Sequence, residues 1–325
     1  MFALWKRYRH LAAAAPLMLA TIATAAAQAP YPNRNITLVL PFAAGSGTDT
    51  TTRLIGKELG VALGVSTVID NKAGANGSIA ASYVARAPAD GYTLFVTTNT
   101  THSANPYLLK TMSYDPIKDF TPIARTGDLP FMLVIHPDIP ANSVAELIAL
   151  AKKEPGKYSY ASGSSSASVS GATFARLAGI DLLHVPYKSS PPALTDVIAG
   201  RVSMMFIDVP TGLPHVNGKA LKALAVTTKK PSALLPDLPT MDNTVKGFDI
   251  TSWQGYLGPA NMPKDIVVKL NAEIRKIIER PDIKNQLAER GMEAFSGTPE
   301  EFDAFLKEQL VLWEKLIADA GIEKQ

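Results

Sequence analysis

Cysteine is absent from all 325 residues. That excludes disulfides, thiolate zinc sites, cysteine-held iron–sulfur clusters and a cysteine nucleophile. Histidine is nearly as scarce. Beyond the N-terminal segment only His102, His136, His184 and His215 occur, none in an H-E-x-x-H or H-x-x-E-H spacing. A zinc site lacks its ligands, and no metal or other cofactor is expected. Disorder is excluded as well, because 46% of residues are hydrophobic and only 19% charged. The length suits one large or two medium α/β domains.

Long apolar runs are missing except near the start. Lys6, Arg7 and Arg9 precede an Ala-rich stretch, Leu11 to Ala26, and Ala25-Ala26-Ala27 supplies a small-x-small cleavage pattern before Gln28. Residues 1–27 therefore read as a cleaved signal peptide, which places the mature protein in the periplasm. The stretch is short for a membrane span of about 20 residues. The formal net charge of +3 belongs to this segment: beyond it, 29 basic residues balance 29 acidic ones. A neutral mature chain gives no reason to expect nucleic acid or another polyanion as partner. A small-molecule ligand and a monomer are expected.

From Ile36 the chain alternates short β-like runs with helical stretches. Ile36–Leu40, Thr67–Ile69 and Tyr92–Thr97 read as strands, with helices over Thr48–Leu63 and Ser78–Ala87. This is the βαβαβ order of a doubly wound, mostly parallel sheet. A second series begins near Phe131–Ile135, with helices Val144–Lys153, Ser168–Ala178 and Pro192–Ala199. Its strands are Tyr158–Ala161, Leu183–Val185, Val202–Ile207 and Leu221–Val226. The last 65 residues read as helical, over Lys264–Glu279, Pro281–Arg290 and Pro299–Ala320. The expected organisation is a signal peptide (1–27), a first lobe (28–127), a second lobe (128–251) and a return to the first lobe with C-terminal helices (252–325). Crossings fall near Gly127–Pro130 and Ile250–Gln254.

Catalytic constellations are weak. Gly212 to Lys219 resembles a phosphate loop, but its spacing is one residue too long and Ala220 stands where Ser or Thr is needed. Ser162, His184 and Asp208 can be written as a triad, yet no G-x-S-x-G elbow accompanies them. The sharper feature is Gly45-Ser46-Gly47-Thr48-Asp49, between the first strand and the first helix. A glycine turn there lets backbone N–H groups and a helix start face an anion. The dinucleotide fingerprint fails at its third glycine, where Thr50 stands. Two more loops, Thr97 to His102 and Ser162 to Ser168, follow strands in the same way. In open α/β sheets such loops converge on the ligand.

These pieces resemble the Bug family (TctC-type), extracytoplasmic solute receptors of tripartite tricarboxylate transporters. The resemblance rests on ITLVLPFAAGSGTD (36–49), VIDNKAGANGSIAASYVARAPADGYTL (68–94), NPYLLKTMSYDPIKDFTPIA (105–124) and HVPYKSSPPALTDVIAGRV (184–202). LKALAVTT (221–228), LPDLPTM (235–241) and the spacing of Trp253, Gly255 and Pro259 complete it. It implies a two-lobed periplasmic binding protein of the Venus-flytrap type, with a small carboxylate ligand (a dicarboxylate, tricarboxylate, aromatic acid or amino acid) in the cleft and membrane subunits of a transporter as partners. The ligand residues it implies are Phe42, Ala44, Gly45, Ser46 and Asp49, then Thr98 and Asn99, then Ser162, Ser164 and Ser165, with Ser189 and Asp208 lining the opposite lobe. The chain departs from the family pattern at Ser168, Ser189-Ser190 and Ile207-Asp208, all on the second lobe. No catalytic residue is implied. The alternatives are a periplasmic hydrolase using Ser164 or Ser165 and a receptor that signals to a sensor partner.

Overall fold

The computed structural model describes residues 30–325; the expected signal peptide lies outside the described residues. Among the described residues eleven strands form two sheets. The first sheet takes β1 (Ile36–Leu40), β2 (Thr67–Asn71), β3 (Thr93–Thr98), β4 (Phe120–Leu129), β10 (Ser252–Pro259) and β11 (Glu293–Ala294), in the order β11-β4-β10-β3-β1-β2. The second takes β5 (Phe131–Ile135), β6 (Ser159–Ser162), β7 (Leu183–Pro186), β8 (Met204–Asp208) and β9 (Lys222–Val226), in the order β7-β6-β8-β5-β9.

β1 is a continuous apolar run because both its faces are covered. Leu38 and Leu40 pack with Ile55 and Leu59 of the Gly47–Leu63 helix, whereas Val39 packs with Ala80, Val84 and Phe95 on the other side. β5 divides in the same way: Leu133 and Ile135 join one core with Phe174 and Phe206, and Met132 and Val134 join another with Val197 and Ile207. Helix ends follow their local chemistry. Ser46 and Ser143 cap helices with their hydroxyls, Gly64 closes the first helix in the left-handed conformation, and Thr298 and Glu301 form a reciprocal capping box.

The expectation of mostly parallel sheets needs correction. β1, β2 and β3 are parallel, but β10 runs antiparallel to both β3 and β4, and β5 runs antiparallel to β8 and β9. These antiparallel strands carry the chain between the sheets: β4 ends at Leu129 and β5 starts at Phe131, while β10 begins the return at Ser252. Ser252 pairs with Leu129, so the two crossings are neighbours in one ladder. The C-terminal helix, Pro299–Asp319, then lies against both halves. Phe302 and Leu306 pack with Trp253 beside the first sheet, and Trp313 and Ile317 join the core of the second.

Two loop expectations also change. The Thr97–His102 stretch is a strand end followed by a π-type turn, Thr100–Ala104, which buries His102 among Phe95, Tyr114 and Phe120. The serine run is mostly helical: the helix starts at Ser165 rather than Ser168, because the Ser164 hydroxyl accepts the Ala167 N–H and caps it. The phosphate-loop lookalike is no loop, since the Val209–Asn217 helix runs through Gly212 and His215.

Candidate functional site

Four helices begin at one place between the two sheets. They are Gly47–Leu63, Ser165–Ala178, Ser190–Ile198 and Val209–Asn217, preceded by Ser46, Ser164, Ser189 and Asp208. Each start leaves backbone N–H groups without intrahelical partners and carries partial positive charge, roughly half a unit per helix. A cavity of about 20 Å³ sits among these starts, lined by Ser46, Gly47, Thr48, Ser164, Ser190 and Asp208. Phe42, Thr98, Thr100, Leu129, Phe131 and Ser252 complete its wall. That volume holds about one water molecule, so any larger ligand requires the halves to part.

Hydrogen bonds close the site across the halves. Ala43 N–H donates to Ser189 Oγ (3.1 Å), Asn99 Nδ2 to Ser166 Oγ (2.7 Å) and Ser165 N–H to Thr100 Oγ1 (3.3 Å). Ser252 donates to Asn99 Oδ1, so Asn99 joins the return crossing to the serine helix. Gly47 sits so close to Asp208 and Pro210 that no side chain fits between them. Ser165 Oγ is buried with no partner.

Asp208 is the one ionisable side chain on the wall. Burial pushes its carboxyl up from the ordinary value, against the hydrogen bonds it accepts from Thr211. Thr211 N–H and Oγ1–H both donate to the same oxygen, Oδ1. His184 offers Asp208 no triad. β6 lies between β7, which carries His184, and β8, which carries Asp208, and His184 Nε2 pairs with Ser162 Oγ at 2.7 Å. Tyr160 stacks on the His184 ring at 4.6 Å. The Ser164 hydroxyl is engaged as a helix cap, and the hydrogen bonds of neither Ser164 nor Ser165 reach a histidine.

Asp49 does not face the cavity. Burial pushes its carboxyl up, but Arg53, the Gly45 N–H and Asn71 outweigh that and hold it below the usual range. Arg53 donates to both carboxylate oxygens at 2.9 Å, Gly45 N–H to one at 2.9 Å and Asn71 Nδ2 to the other at 3.0 Å. Asn71 also donates to Phe42 O (3.0 Å), so the network fixes the turn that carries Phe42 and Ser46. Asp49→Ala is expected to lower the unfolding free energy by about 2 kcal/mol, because it removes the buried carboxylate that accepts hydrogen bonds from Arg53, Gly45 and Asn71 and ties the turn to the helix. Urea unfolding of the variant checks this.

Of the positions named from sequence, Phe42, Ser46, Thr98, Ser164 and Asp208 line the cavity. Asn99, Ser165 and Ser189 stand behind it as cross-links, Ser162 pairs with His184, and Ala44 and Gly45 are exposed. Gly47, Thr48, Thr100, Leu129, Phe131, Ser190 and Ser252 also line it and were not named as ligand residues. Leu129 and Ser252 lie within the expected crossings, and Phe131 directly follows the first. Among the described residues no cluster of three or more metal-ligating side chains occurs, and no helix is long and apolar enough to cross a membrane.

Residues 51–322 match the family model for the tripartite tricarboxylate transporter family receptor. Three solved structures are similar over nearly the whole chain. The Rpa4515 protein of R. palustris with adipate is 36% identical, with TM-score 0.89 over 91% of this chain and 100% of that one. The periplasmic binding protein BugD is 34% identical, with TM-score 0.86 over 91% and 100%. MatC of Rhodopseudomonas palustris with bound malate is 30% identical, with TM-score 0.82 over 88% and 100%. The architecture is the two-lobed fold of periplasmic binding proteins.

Proposed function

Since the chain belongs to the tripartite tricarboxylate transporter receptor family, we propose that it captures a small carboxylate-bearing molecule between its lobes and closes over it for uptake by such a transporter. The observation that carries this reading is the convergence of four helix starts on one cavity. A carboxylate there receives backbone N–H and hydroxyl hydrogen bonds and the favourable end of several dipoles, with no Lys or Arg in the wall. The adipate of Rpa4515 and the malate of MatC support the ligand class.

In this reading residues 28–127 and 252–325 form the first lobe and 128–251 the second. Closure is a population shift: the ligand touches both lobes in the closed form and one in the open form. Binding involves no covalent chemistry. The basic and Ala-rich stretch over residues 1–27 supports export to the periplasm, and the protein acts there as a monomer. Calorimetry against a library of mono- and dicarboxylates tests the reading. At least one acid is expected to bind and to raise the unfolding midpoint. Folded protein that binds none of them overturns the carboxylate claim.

A further inference from the structure

We propose that Asp208 sets the ligand class: the bound molecule carries an ammonium group facing Asp208 as well as its carboxylate, and this chain selects aminocarboxylates over dicarboxylates. The inference rests on the carboxylate reading above and narrows it. The wall contains no Lys, Arg or His, and its single ionisable group is an acid that is nine-tenths buried. A second ligand carboxylate has no cation to meet there and encounters a like charge at short range, which low-dielectric surroundings make severe.

The helix starts do not change this balance. Asp208 already caps one of them through Thr211, and it lies against Gly47 at the start of another. Those two ends are matched by the protein's own carboxylate. The starts after Ser164 and Ser189 remain, together worth roughly one positive charge, and one ligand carboxylate satisfies them. The donors from Thr211 both fall on Asp208 Oδ1, which leaves acceptor capacity on the carboxylate for a group that donates. An ammonium supplies both the donors and the compensating charge.

Matched probes test this by calorimetry at pH 7.5: β-alanine against succinate and propionate, and 5-aminopentanoate against adipate. The amino member of a pair is expected to bind at least tenfold more tightly than its dicarboxylate. Asp208→Asn, which keeps a good helix cap, is expected to remove or invert that preference. Asp208→Ser serves as a second capping variant should the amide not fold. Dicarboxylates that bind as well as or better than the amino members overturn the inference and leave the carboxylate reading standing. Preference for the amino member that survives both variants removes Asp208 from the role. A panel in which no acid binds overturns the carboxylate reading, and this inference with it.

Discussion

Acidification from pH 6.5 to 4.5 is expected to lower the unfolding free energy by about 2 kcal/mol through one side chain, His102. Its ring is completely buried, and burial pushes its pKa down to about 3, against an ordinary value of 6.5. Nδ1 lies 2.6 Å from Thr97 Oγ1, while Nε2 has no partner, and the rings of Phe95, Phe120 and Tyr114 surround it. Nothing nearby compensates an imidazolium. The unfolded chain therefore takes up a proton that the folded chain refuses. Stability is fully present above pH 6.5 and falls as pH drops towards 3, at about 1.4 kcal/mol per unit over most of that window. Urea unfolding between pH 7 and 4.5 measures the slope. His102→Asn is expected to flatten it, even though the variant loses stability at every pH. A slope unchanged in the variant refutes the assignment.

Gly47→Ala is expected to weaken binding of the tightest acid in the library by about 100-fold, with little change in the unfolding midpoint. Gly47 is the first residue of its helix, and its backbone is not in the left-handed region, so alanine suits it locally. The obstacle comes from the other lobe. A β-carbon would collide with the Asp208 carboxylate, which Thr211 holds in place, and approach Pro210 Cβ to 3.1 Å. Overpacking of this kind costs about 1–3 kcal/mol, and 2.8 kcal/mol corresponds to about 100-fold in affinity. Because the clash vanishes when the lobes part, the loss falls on closure rather than on folding. Gly45→Ala provides the contrast. Gly45 has φ +82° with open space around it, so its substitution strains the backbone, lowering stability by about 1 kcal/mol. Calorimetry beside thermal unfolding separates the two cases. Equal midpoint losses in both variants contradict the closure argument.

The elements legible in the sequence were those whose residues state their surroundings without help from elsewhere. β1, β5 and the helices Val144–Lys153 and Lys264–Glu279 fall on the expected residues. Their apolar runs or faces are unbroken and their ends carry Ser caps, Pro or Gly. β4 and β10 were not read as strands, although they are the longest in the fold. FTPIARTGDL and SWQGYLGP are interrupted by Pro, Gly and charge, and their pairing tolerates this through irregular register at Gln254/Gly255 and Tyr256/Leu257. Tertiary pairing overrides local preference there.

The candidate site divides along the same line. Ser46 and Ser164 stand next to a strand end and a helix start, a local pattern that periodicity exposes. Leu129, Phe131 and Ser252 line the cavity only because two distant crossings pair with each other, and no local pattern encodes that. Asp49 shows the other side of this: the family resemblance implies it as a ligand residue, while here Arg53 one helical turn later engages its carboxylate. Residue identity alone does not reveal that pairing, which depends on the helical spacing of the two side chains.

The pairing of the crossings at Leu129 and Ser252, with the Pro299–Asp319 helix seated on both cores, bears on the entropy of capture. Two independent tethers would leave one lobe free to twist, tilt and slide against the other, and a ligand would have to freeze all of these at once. Strands joined in a ladder, with a helix packed on both cores, restrict those motions. Under the proposed capture, a ligand has correspondingly less motion to arrest, and more of its contact energy remains available as affinity.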